Sequence, residues 1–298
     1  MTSQPGRLVL PLILSILFSP LFSVIAGSSS LLRPVALWPA SGGGLYVLDK
    51  ARGLTYIPGG AGLDLRNSSN FATFSASWQA VDMAAVRSGS DDRVYVLLAQ
   101  ETIGMLMCYS NRQFERSWIS KTLLTGIAPD PAGHRLFLSG GLTNEIFVFD
   151  LNDPGASPTK VFIGVSHGSQ LLGPLALDSD QHVLYAGDER TGVIFAINTD
   201  SKSVSQLTQI AAGQPSALAF ESVHRVLYVA DSVGRKVWAL GVDKNAPKFR
   251  IFSRIPDFRQ PSAIAVDANG TVWLGDEESQ AIYQLAPNGA PTTYRLSF

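Results

Sequence analysis

Beyond its N-terminal segment the chain is written in short apolar runs separated by polar turns. Six of these runs end alike: LYVLD (45–49), VYVLL (94–98), LFLSG (136–140), LYAGD (184–188), LYVAD (227–231) and VWLGD (272–276). Their aromatic residues, Tyr46, Tyr95, Phe137, Tyr185, Tyr228 and Trp273, follow one another at intervals of 49, 42, 48, 43 and 45 residues. Upstream of each aromatic an apolar residue precedes an alanine: Val35-Ala36, Met83-Ala84, Ile127-Ala128, Leu175-Ala176, Leu218-Ala219 and Ile264-Ala265. This second anchor recurs at 48, 44, 48, 43 and 46 residues, so two separate markers keep one period, which is the signature of a repeat architecture.

Each aromatic run is followed by a polar turn and a third run: LTYIP, GMLMCYS, IFVFD, IFAIN, VWALG and IYQLA. A fourth run begins near Phe71, Phe114, Lys160, Val204, Phe249 and Thr292. The runs are rich in β-branched and aromatic residues and are bounded by Gly, Asp, Asn or Ser, as strands are. No stretch after the N-terminal segment keeps a helical period long enough for an ordinary helix. The pattern predicts an all-β chain, a six-bladed β-propeller with four antiparallel strands per blade. The first unit starts at Pro34 and the last reaches Phe298, so each blade is expected to be completed in sequence order and the ring to close by packing. The alanines are expected along the central channel, on the argument that a bulky residue repeated around it would clash.

The stretches VLYVADSVGRKVWAL and TVWLGDEESQAIYQL resemble NHL repeats, and PSAIAVDANGTVWLGD is similar to the last blade of the gluconolactonase and senescence-marker-protein (SMP-30-like) propellers. The resemblance spans about 34–298 as a repeat pattern and implies the fold. It also implies, for the lactonase branch, a divalent cation held by a Glu where the chain enters the first blade, by Asn residues where it enters later ones, and by an Asp in a Pro-Asp-Gly. The matching positions here carry Arg33-Pro34, Gly173-Pro174 and Pro261-Ser262-Ala263. The lactonase metal centre is therefore expected to be missing, and no cofactor is expected. A cation such as Ca²⁺ enters only under the alternative of a lactonase- or esterase-type hydrolase with rearranged ligands.

Composition adds context. Lys plus Arg number 23 against 24 Asp plus Glu, which offers no basic excess to recruit a nucleic acid backbone. Residues 1–26 have the layout of a secretory signal peptide: one Arg, an apolar run from Leu8, then Ala26-Gly27-Ser28. An uncleaved anchor is the rival reading. Either places the domain, after a linker at 27–33, outside the cytosol, secreted or lumenal; with the signal peptide cleaved, no membrane span is expected in the mature chain, and a monomer is expected. Cys108 is the single cysteine, expected as a buried small hydrophobe. Asn67 and Asn269 open Asn-x-Ser/Thr sequons in predicted turns, where a glycan could be carried.

Candidate chemistry gathers on the face carrying the turns between second and third strands and the crossings between blades, which surrounds the channel mouth. Those turns supply Asp49-Lys50-Ala51-Arg52, Asp188-Glu189-Arg190, Asp231 with Arg235, and Asp276-Glu277. The crossings add Asp82, His167, Gln170, Gln214 and Gln260. Converging carboxylates suit a cation, but an Asp closing a strand also caps its own turn. His134, His182 and His224 fall in hairpins on the opposite face, leaving His167 as the histidine nearest the mouth. From these the expected ligand residues are His167, Asp188, Glu189, Arg190, Asp231, Arg235, Asp276 and Glu277, with no catalytic triad, phosphate loop or Cys/His metal spacing. The reading is a binding module for a small molecule, a glycan or a protein.

Overall fold

In the computed structural model, residues 32–59, 63–153, 159–162, 171–242, 248–254 and 256–294 are described. The signal segment, His167 and Gln170 lie outside them. Six four-stranded antiparallel sheets succeed one another, each with its strands in simple sequence order. The first strands, Pro34–Pro39, Gln79–Ser88, Leu124–Asp130, Leu172–Asp178, Pro215–Glu221 and Pro261–Val266, neighbour one another around the ring, and the last lies against the first. This is the six-bladed propeller that the repeat predicted, with every blade built from consecutive strands. The sole helical turn among the described residues is the 3-10 turn Leu65–Asn67.

Six buried apolar clusters fill the seams, one between each pair of adjacent blades. All six repeat aromatics are buried in them or beside them, from Phe137 at 2% exposed to Tyr228 at 9%. The reason is geometric: blades diverge outward from the axis, and a large ring fills the widening wedge. The seam that closes the ring sets Leu37, Leu45 and Val47 of blade one against Ala263, Trp273 and Ile282 of blade six. Cys108 is buried and free, its thiol pushed up to about 12 by burial and by the neighbouring Glu115.

The expectation for the channel wall is corrected by the structure. Five of the repeat alanines are buried, but the residues before them, Val35, Met83, Ile127, Leu175, Leu218 and Ile264, also line the channel. These six bulky groups do not clash. They meet around the axis and form an apolar waist below the mouth.

In all six blades the pairing of the first strand shifts by a residue near the mouth, for example between Pro215 and Ala217 and between Pro261 and Ala263. A bulge leaves one residue unpaired and re-aims its side chain. Ser216 and Ser262 sit at such points, and each hydroxyl donates to the first strand of the next blade, Ser216 Oγ to Pro261 O at 2.6 Å and Ser262 Oγ to Pro34 O at 2.6 Å. Blade three sends Thr125 Oγ1 to Leu172 O at 2.5 Å and Ser139 Oγ to Gly173 O at 2.7 Å.

Candidate functional site

The repeated aspartates are occupied by backbone. Asp49 Oδ1 accepts from the N–H groups of Ala51 and Arg52, Asp188 Oδ1 from Arg190 and Thr191, Asp231 Oδ1 from Gly234, and Asp276 Oδ1 from Ser279. Three of them reach the neighbouring crossing as well: Asp49 accepts from Arg33 N, Asp231 from Gln214 N at 3.1 Å, and Asp276 from Arg259 N at 2.8 Å. Trp238 Nε1 adds a further bond to Asp231 Oδ2 at 3.0 Å. These carboxylates are buried and tie a turn to a crossing, so the oxygens expected to meet a ligand are largely spent on the fold.

The residue after each aspartate is placed differently. Its N–H donates to the carbonyl of the crossing, Lys50 to Arg33 at 3.1 Å, Glu189 to Leu171 at 3.0 Å, Ser232 to Gln214 at 3.1 Å and Glu277 to Gln260 at 3.0 Å. With the backbone so fixed, Lys50, Glu189, Ser232 and Glu277 line the mouth of the channel, together with Ala99 at the matching place in blade two. Arg190 and Arg235 are exposed on their turns and lie off this wall. Asp82, Gln214 and Gln260 from the crossings complete it, enclosing about 420 Å³ above the apolar waist.

This ring is chemically lopsided. On one side Glu277, 5% exposed, receives Lys50 Nζ on both oxygens at 2.8 and 2.7 Å and Arg33 at 2.6 Å. Asp82 and Glu189 have no cation on either carboxyl among the described residues. Both are half-buried on the wall of the channel. Burial pushes Asp82 up to about 7, against the pull of two N–H bonds from Met83 at 2.8 Å and Ile127 at 3.0 Å, and the charge of Glu189 raises it further. Glu189 is likewise pushed up to about 7 by burial, with a hydrogen bond from Gln214 lowering it and the charge of Asp188 raising it. Burial is the main cause for both, so the two carboxyls hold their protons above the ordinary carboxylate range.

Glu189 reaches the channel because residue 173 has no side chain. A Cβ on Gly173 would stand 2.3 Å from Glu189 Oε1 and 2.6 Å from its Cγ. The place where the lactonase resemblance calls for a ligand thus holds a cradle for a carboxyl that arrives from the next turn. At the first-blade position Arg33 is committed to Glu277. No group of three or more His, Cys, Asp or Glu able to hold a metal forms among the described residues. The residues present do not fit the lactonase cation.

Asp82, Gln214 and Gln260 were placed near the mouth by their position in the crossings, whereas Lys50 and Arg33 were not singled out as ligand residues. The signal for the wall was the variation after the conserved-looking turn, Lys50, Ala99, Gly141, Glu189, Ser232 and Glu277, and not the repeated Asp itself. Asn67 and Asn269 are both exposed in turns.

A family profile described as SMP-30/Gluconolactonase/LRE-like region matches residues 185–296, from the second strand of blade four to the end of blade six. No curated protein sequence matches the chain. Among solved structures, a chain of a nidogen/laminin complex superposes with a TM-score of 0.68 at 14% identity, over 82% of this chain and 90% of that one. Virginiamycin B lyase from Staphylococcus aureus gives 0.63 at 14% identity, over 90% and 85%. The PQQ-bound aldose sugar dehydrogenase of Streptomyces coelicolor gives 0.62 at 15% identity, over 90% and 95%. At such identities the likeness is one of fold, and the chain is similar to these propellers and distantly to the SMP-30-like group.

Proposed function

We propose that this propeller is a binding module, acting outside the cytosol, whose channel mouth takes a small molecule bearing one protonated amine. The observation that carries this is the Asp82–Glu189 pair: two carboxyls lining one cavity, without a cation partner among the described residues. An ammonium seated between them supplies the missing charge and lets both ionise. Gln214, Gln260 and Ser232 offer hydrogen bonds to the rest of the ligand. The opposite wall sets two cations, Lys50 and Arg33, on the one carboxylate of Glu277, so it offers an ammonium no unpaired anion.

The test is thermal melting with n-butylammonium, butyrate and a neutral sugar at pH 7.5. At 100 times its dissociation constant the amine is expected to stabilise the native state by about 2.7 kcal/mol. Asp82→Asn and Glu189→Gln should each weaken that response. A shift with butyrate or sugar and none with the amine would overturn the reading, and a selective shift with Ca²⁺, Mg²⁺, Mn²⁺ or Zn²⁺ would return attention to a metal-dependent hydrolase.

A further inference from the structure

Below the mouth, on the same channel, lies a second chamber of about 250 Å³ with a different chemistry. The side chains of its wall are apolar, including Pro129, Leu177, Phe220 and Val266, none of them is charged, and the polar groups it offers are mainly those of the backbone. Trp38, Ile127, Leu175, Leu218 and Ile264 line both chambers, so the two meet at the waist and share its wall. A polar, acidic mouth therefore stands directly over an apolar chamber on one axis.

We infer that the channel binds a cationic amphiphile, a primary alkylamine whose ammonium head lies between Asp82 and Glu189 and whose hydrocarbon tail passes the waist into the lower chamber. The inference rests on the amine reading of the mouth and adds the tail. The head follows from charge complementarity, because the two carboxyls without a cation partner lie at the upper end and no charged side chain lines the lower chamber. The tail follows from the wall: the bulky residues at the waist and the side chains of Trp38, Leu177, Phe220 and Val266 can pack against methylenes, and no side chain there carries a charge to pair with a second charged group. A short amine fills only the mouth. A longer one gains the apolar area of the chamber without losing the ion pair.

The experiment is calorimetric titration of the purified protein with methyl-, butyl-, hexyl- and octylammonium below their micellar concentrations, with octanoate and octanol as head-group controls. Once the chain is long enough to pass the waist, each added methylene should tighten binding about fourfold. Leu177→Gln, on the wall of the lower chamber alone, should flatten that gain and leave butylammonium binding unchanged; Val266→Gln serves if the first variant melts early. An amine brominated at the chain end should quench fluorescence from Trp38, and the quenching should be lost in Trp38→Phe. If butylammonium binds and octylammonium binds no more tightly, the amphiphile is overturned and the amine reading stands. If octanoate or octanol binds as tightly as octylammonium, the assigned head is wrong and the inference falls. If no amine binds, both readings fall together.

Discussion

Asp82 and Glu189 each hold a proton more firmly in the folded chain than in the unfolded one, where their carboxyls titrate at about 4. Between about pH 4 and 7 the native state then binds the extra protons, and stability falls as pH rises through that window. Gln at 189 removes its share of the penalty. That variant should melt at least about 2 °C above the parent at pH 8 and level with it at pH 4. Melting curves across the range check this, and an equal difference at both ends would show that burial does not raise this group. Gly173→Ala tests the cradle. The backbone there is not in the left-handed region, so the methyl group acts on Glu189 and not on the chain path. Amine binding should weaken about tenfold, or 1.4 kcal/mol, with the fold retained. The position of Glu189 beside its turn Asp was legible in the sequence, but its freedom was not, because that depends on which neighbours spend their oxygens on backbone.

At the scale of the strand and its turn, the capping aspartates behaved as local chemistry requires. An Asp at the end of a strand finds N–H groups two and three residues on whatever the rest of the molecule does. Asp231 holds Gly234 N, Gln214 N and Trp238 Nε1 together, so Asp231→Ala strands three donors and should cost about 3 kcal/mol, read as a drop in melting temperature of about 6 °C or more. Ser262→Ala leaves Pro34 O without that donor and should cost about 1 kcal/mol. The bulges that aim Ser216 and Ser262 at the next blade were not legible. They depend on register between strands, and the apolar alternation on either side reads the same with or without the extra residue.

For the whole molecule, closure is the event on which stability turns, because blades one and six are far apart in sequence and no strand is exchanged between them. Trp273 stands in the closing seam at 8% exposed, with its ring 5.9 Å from Tyr294. Trp273→Ala should remove about 3–5 kcal/mol and lower the melting temperature by about 6 °C or more in a single transition, as followed by calorimetry. What the sequence by itself determined was the repeat: six units, four strands in each, an aromatic for every seam and a cap for most turns. These follow from periodicity and from contacts a few residues apart, which the order of residues states directly. Only the tertiary structure decided that Asp82 and Glu189 face one cavity, that Lys50 and Arg33 neutralise Glu277 across the closing seam, and that the bulky residues before the alanines form a waist. Each of these is a convergence of separate blades on one axis. Where side chains from different blades meet is set by bulge register and ring closure, and a linear pattern carries neither.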